Sequence, residues 1–230
     1  MKSAVIVFPG SNCDRDVFTV MQQQGLNPEF VWHSDAALKE KYDLVVLPGG
    51  FSFGDYLRCG AMAARSPIMQ DVVKFAQAGG HVLGICNGFQ ILCETGLLPG
   101  TLMRNNHLKF NCKETTLRVE ANDSAFTSGY SKGQVINLPV AHAEGNYFAD
   151  EATLKELKEN GQIVLRYATE EGALADEANP NGAREHIAAI TNKTKNVLGM
   201  MPHPERHADA ALGGTDGIAL FAGLRAKLAA

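Results

Sequence analysis

Three residues in this chain carry side chains that can together cleave an amide: Cys86, His203 and Glu205. Cys86 sits in Gly84-Ile85-Cys86-Asn87-Gly88, between the short apolar run 81–85 and Phe89-Gln90-Ile91-Leu92, whose spacing suits a helix. Gly-x-Cys-x-Gly at a strand-to-helix junction is the cysteine form of the nucleophile elbow, a turn so sharp that small residues are needed on either side. A thiol there lies at a helix N-terminus, where unpaired N–H groups and the helix dipole favour thiolate. Such a nucleophile needs a base. Of the seven histidines, His203 follows an apolar strand and is held between Pro202 and Pro204, which keep the backbone extended and exclude a helix. Residues two apart in extended chain share a side, so Glu205 can orient the imidazole and stabilise its charged form, completing a triad. Acyl transfer also needs donors for an oxyanion. The backbone N–H groups of Asn87, next after the nucleophile, and of Gly50, in the turn Gly49-Gly50, are expected to provide them.

The same residues have other readings. Cys86 can be a buried core cysteine, or the oxidisable thiol of a flavodoxin-like redox sensor. A sensor has no need of a distant His-x-Glu pair, and this chain has one. The stretch His203-Pro204-Glu205-Arg206-His207 resembles a zinc helix only loosely: the order is wrong and Pro204 spoils the helix. No metal site is expected.

The elements that must position these groups are legible from apolar patterning. The runs 3–8, 30–32, 44–47, 81–85 and 197–201 read as strands, several apolar throughout and so buried on both faces. Between them a helix carries Val17, Phe18, Val20 and Met21 and stops at Gly25. A second opens on Ser66-Pro67 as cap and first-turn proline, carries Ile68, Met69, Val72, Val73 and Ala76, and closes at Gly79-Gly80. The alternation predicts an α/β fold: a doubly wound, mostly parallel sheet with helices on both faces. In the second half, strands of mixed polarity at 108–119 and 134–141 suit antiparallel pairing. Further strands are expected at 163–167 and 186–190, with a turn-rich loop Asn179-Pro180-Asn181-Gly182 between them. Helices are expected at 151–160, capped by Asp150 and stopped by Gly161, and at 215–227, burying Ile218, Phe221 and Leu224.

Bulk properties narrow the classes. A chain of 230 residues fits one domain, here 1–230, and a net charge of −4 gives no nucleic-acid footprint. Five scattered cysteines, with no signal peptide and no long apolar run, suggest reduced thiols in a cytoplasmic protein that does not span a membrane. Cys13, Cys59, Cys93 and Cys112 read as structural. No phosphate loop or dinucleotide fingerprint is present.

Taken together, Pro48-Gly49-Gly50, Gly84-x-Cys86-x-Gly88-x-Gln90 and His203-Pro204-Glu205 resemble the class I (triad) glutamine amidotransferases. The stretches 51–58, 139–145 and 179–182 narrow the resemblance to the family of glutaminase subunits of phosphoribosylformylglycinamidine synthase. It runs nearly end to end, departing at Ala143, where glycine is expected. It implies that Cys86 attacks the side-chain amide of glutamine, with His203, Glu205, Gly50 and Asn87 in the roles above. Gly49, Gln90, Arg58 and His142 are expected around the glutamine. It further implies that ammonia passes to a synthetase subunit, which holds the ATP and Mg2+, in a hetero-complex that includes a small accessory subunit. No cofactor is expected on this chain, and the isolated subunit is expected to be poorly active until docking completes its oxyanion hole or glutamine pocket. Three alternatives stay open: another amidotransferase with a different synthetase, a stand-alone hydrolase of this fold, and the redox sensor.

Overall fold

A computed structural model describes residues 1–229. The chain runs β1 (Ser3–Val7), α1 (Asp14–Gln23), β2 (Pro28–Trp32), β3 (Leu44–Leu47), α2 (Pro67–Gln77), β4 (His81–Ile85), α3 (Asn87–Glu94), β5 (Thr101–Met103), β6 (Asn111–Val119), β7 (Val135–His142), β8 (Asn146–Phe148), α4 (Glu151–Glu159), β9 (Ile163–Tyr167), β10 (Ile187–Thr191), β11 (Val197–Met200) and α5 (Ile218–Leu228). One nine-stranded sheet has the order β2-β1-β3-β4-β11-β10-β9-β6-β7. β2, β1, β3, β4 and β11 are parallel, and from β10 onward every pairing is antiparallel. The expected α/β fold is thus present, with its antiparallel strands in the second half.

Burial explains the division. β3 and β11 are buried at every residue and β4 at all but His81, as strands covered on both faces must be. β7 alternates buried and half-buried residues, as a strand with one wetter face does. β2 lies at an edge, where Pro28 costs no ladder bond.

Some local expectations change. Ser66 precedes α2 with extended backbone, but its hydroxyl lies 3.3 Å from His33 Nδ1 and makes no cap. Asp150 does cap α4, accepting from the Thr153 amide at 2.8 Å. In α5 the buried set is Leu220, Phe221, Gly223 and Leu224, while Ile218 is only half-buried. β5 and β8 pair as a small separate sheet whose three-residue strands leave no period to read. Among the described residues no helix is long and apolar enough to cross a membrane.

α3 packs against β3, β4 and β11 and sets the nucleophile on the sheet. Its contact is so close that a Cβ at Gly88 would lie 2.0 Å from the Leu47 carbonyl oxygen. Gly88→Ala is therefore expected to destabilise the fold by about 3 kcal/mol or more, since both groups are backbone and cannot step aside. Urea unfolding checks this, and an unchanged midpoint would mean that α3 slides freely on the sheet.

Candidate active site

Cys86 is the residue between β4 and α3, with φ 50° and ψ −104°, a conformation that non-glycine residues rarely adopt. Holding it there costs on the order of 1–3 kcal/mol, and the surroundings enforce it. The Cys86 amide donates to the Met200 carbonyl at 2.7 Å, and the Cys86 carbonyl accepts from Phe89 and Gln90. The turn is thereby locked to β11 on one side and α3 on the other.

β11 delivers the base. His203 lies three residues past its end, is 1% exposed, and donates its own amide to the Pro139 carbonyl at 2.8 Å. His203 Nδ1 and Glu205 Oε1 are 2.6 Å apart, with both side chains buried. His203 Nε2 is buried without a hydrogen-bond partner and lies beside the Cys86 and Cys13 sulfurs. Burial alone would lower the His203 pKa. The Glu205 carboxylate foremost, then the sulfurs, outweigh it and hold the imidazole well above its ordinary value. The backbone differs from the expected extended strand: Pro204–Arg206 form a single 3-10 turn, with Pro204 at its first position. Proline bars a helix interior but suits a first turn, where its missing N–H would have no partner.

β3 delivers the turn 49–50. Gly50 lines the cavity at Cys86, and neither its amide nor that of Asn87 has a backbone partner among the described residues. Gly49 serves the imidazole: a Cβ there would lie 2.8 Å from His203 Cε1 and 3.1 Å from Cys13 Sγ.

Two cavities meet at Cys86. One, of about 220 Å³, is lined among others by Asp55, Cys59, Gln90, Arg104 and Glu144. The other, of about 230 Å³, includes Cys13, Phe110, Cys112 and His203. Phe51 belongs to both, and its ring centroid is 6.3 Å from that of Phe110. The wall of the first cavity is the segment 141–145. Gln90 holds it, donating to the Glu144 carbonyl at 2.7 Å while accepting from Asn87 Nδ2 at 2.9 Å. The Cys86 thiol is 3.7 Å from the Ala141 carbonyl.

His142 anchors the same wall from behind. Its Nδ1 is 3.2 Å from Asn105 Oδ1 and its Nε2 is 3.5 Å from Asn181 Nδ2, partners that assign the proton to Nδ1. Burial, with the His203 charge nearby, pushes its pKa down to about 4, so the ring is neutral at physiological pH. Asn181 also donates to the Gly145 carbonyl at 2.9 Å, and Asn105 accepts from the Gly145 amide at 3.1 Å. The turn 179–182 thereby supports the wall. Ala143 lines the cavity and its carbonyl accepts from the Asn105 amide, so a methyl group is accommodated where glycine is expected. Arg58 is turned away: its guanidinium pairs with Glu94 at 2.7 Å and its side chain is largely exposed.

Nothing local in the sequence marks Asp55, Cys59, Arg104 and Glu144 as pocket residues, or Cys13 as a neighbour of the imidazole. Cys13 stands at the N-cap position of α1 but its side chain makes no cap bond, and its sulfur accepts from Arg206 Nη2 at 3.0 Å. Ligand atoms of Cys13, His203 and Glu205 lie within 4.8 Å of one another, a spacing that suits a soft divalent ion. The His203–Glu205 hydrogen bond and the Arg206 guanidinium on the sulfur oppose that use. His207, itself buried, pairs instead with Glu114 at 3.2 Å, so the segment 203–207 does not converge on a metal. The arrangement is that of a buried thiol, imidazole and carboxylate opening on a small cavity, equipped for acyl transfer to a thiol.

Comparison with known proteins agrees with this chemistry. Residues 1–213 match the model of the CobB/CobQ-like glutamine amidotransferase domain. A phosphoribosylformylglycinamidine synthase subunit PurQ from Rhodopseudomonas palustris (strain BisB18) is 58% identical over 230 residues, covering 100% of this chain and 99% of that one. The protein of the same name from Ruegeria pomeroyi is 54% identical, covering 99% of each. A chain in the structure of PurLQS from Thermotoga maritima superposes with a TM-score of 0.87 at 42% identity, covering 99% of this chain and 98% of that one.

Proposed function

The chain belongs to the CobB/CobQ-like glutamine amidotransferase family, and from that premise we propose that it is the glutaminase subunit of a phosphoribosylformylglycinamidine synthase. It hydrolyses glutamine to glutamate and ammonia and delivers the ammonia to an ATP-dependent synthetase. That partner converts formylglycinamide ribonucleotide to the amidine in purine biosynthesis. One observation carries the reading: the Cys86 elbow meets the His203–Glu205 pair in a chain that is matched along its whole length by subunits of that synthase.

In the proposed course, the Cys86 thiolate attacks the side-chain amide carbon of glutamine. Negative charge gathers on the amide oxygen against the N–H groups of Gly50 and Asn87. His203, charged and held by Glu205, gives its proton to the nitrogen, and ammonia leaves a γ-glutamyl thioester. The neutral imidazole then takes a proton from water, hydroxide adds to the thioester, and glutamate departs from Cys86. The reading puts ATP and Mg2+ on the synthetase and needs no cofactor on this chain. It sets the subunit in the cytoplasm, in a complex with the synthetase and a small accessory subunit. The Thermotoga maritima relative belongs to an assembly named for three components, which supports that organisation.

Nitrogen tracing tests the proposal. The chain, combined with its synthetase, receives glutamine labelled with nitrogen-15 in the amide, together with excess unlabelled ammonium. The amidine product is expected to carry mainly the glutamine nitrogen. Product that carries no nitrogen-15, its nitrogen drawn from the bulk ammonium, or a synthetase that runs no faster with glutamine, would refute it.

A further inference from the structure

Glutamine presents a carboxamide to Cys86, and the rest of the molecule is a zwitterion that the pocket must also satisfy. An ammonium taken from water into a small cavity needs a carboxylate there, or its desolvation opposes binding. The cavity at Cys86 offers two, Asp55 and Glu144, and a single cationic side chain, Arg104.

These groups are not equivalent. Glu144 faces Arg104 at 3.7 Å, so it already has a cation. Asp55 has none: its Oδ1 is buried and has no hydrogen-bond partner, the state of an acceptor awaiting a donor. Cys59 beside it cannot supply charge, because burial, with Glu144 and Asp55 adjacent, pushes its pKa far up and keeps the thiol neutral. Burial and the neighbouring Glu144 also push the Asp55 carboxyl upward, a penalty that a bound cation would reverse.

The backbone is bent to put Asp55 there. Phe53, Gly54 and Asp55 all have positive φ, at 55°, 72° and 53°. A run of three is unfavourable, with each non-glycine residue costing on the order of 1–2 kcal/mol. The loop is pinned in that shape by hydrogen bonds from Phe53 and Phe51 to the Pro9 and Gly10 carbonyls, at 2.7 and 2.9 Å. A strained segment held this firmly beside a nucleophile positions a group for use.

We propose that Asp55 binds the α-ammonium group of glutamine while Arg104 receives the α-carboxylate, so that the pocket selects a free amino acid over a plain carboxamide. The inference rests on Cys86 acting on glutamine and identifies how the rest of that substrate is held.

The test measures Cys86 alkylation in the full complex by mass spectrometry, with two reagents. One is the diazoketone analogue 6-diazo-5-oxo-L-norleucine; the other is the same compound without its α-amino group. The ratio of their second-order rates is expected to favour the amino reagent in the native protein. In Asp55→Asn the ratio is expected to fall about 10–100-fold, the loss of one charge-assisted contact. Asparagine tolerates left-handed backbone, and Asp55→Gly, equally suited to it, is expected to give the same fall if the first variant does not fold. Because the ratio is internal to each protein, a general loss of reactivity cancels. A native ratio near one, or a ratio unchanged in the variants, overturns the proposal. Failure of both reagents to label Cys86 in the native complex would instead overturn the glutaminase reading beneath it.

Discussion

Replacing Cys86 by serine is expected to lower glutamine-dependent amidine formation by about 10⁴-fold or more, the scale on which triad nucleophiles act. Ammonia-dependent formation by the same complex is expected to stay close to that of the native protein. The two activities separate because the thiol serves only to liberate ammonia, whereas the synthetase consumes ammonia from either source. Serine keeps the shape of the side chain and the unusual φ of 50°, so the elbow and its hydrogen bonds to Met200, Phe89 and Gln90 should persist. Its hydroxyl is a far poorer nucleophile than a thiolate and gains less from the adjacent imidazolium. Steady-state assays with glutamine and with ammonium chloride decide the matter. Equal loss of both activities would make Cys86 structural, and loss of neither would move the nucleophile elsewhere.

The second large effect is expected at Glu205. Glu205→Gln is predicted to reduce glutamine-dependent turnover by about 10²–10⁴-fold, as when the orienting acid of a triad is made neutral. Glu205 Oε1 accepts from His203 Nδ1 at 2.6 Å; an amide can offer an N–H in its place and favour the opposite tautomer. The loss should carry a pH signature. The native His203 pKa is raised well above 6.5, and Glu205 is the largest of the causes that raise it. A raised histidine stabilises the fold fully below its unfolded value near 6.5, and that contribution is lost as pH climbs through the folded value. The stability gap between native protein and variant is therefore expected to be widest near pH 6 and to narrow above it. Urea unfolding across a pH series measures this, and a gap that stayed constant would mean that the pair does not hold the imidazole charged.

How much of this site the sequence discloses depends on how local each part is. The elbow is legible because its glycines, strand and helix are contiguous from 81 to 92 and carry their own pattern. The identities of His203 and Glu205 are legible for the same reason, but the way they meet is not. The flanking prolines predict an extended segment, and the chain instead takes one 3-10 turn starting at Pro204, a choice that packing decides and proline permits. The pocket is the least legible part. Asp55, Arg104 and Glu144 come from three separate loops and meet only through tertiary packing. Gly54, and more weakly Asp55, hint at the left-handed run that aims Asp55, but nothing in Phe53 favours it. Arg58 shows the converse: a cation in a motif loop that packing turns outward to Glu94.

The nucleophile, the base and the Gly50 amide leave the ends of β4, β11 and β3, which are adjacent in the sheet. The pocket wall, by contrast, hangs on the segments 51–58, 141–145 and 179–182. Central strands open only with the whole molecule, whereas loops open on their own at far lower free energy. Amide hydrogens of the three strands should thus outlast those of the wall in exchange with deuterium. The triad is kept permanently assembled, and whatever tunes the rate of glutamine turnover has to work by ordering or loosening the wall.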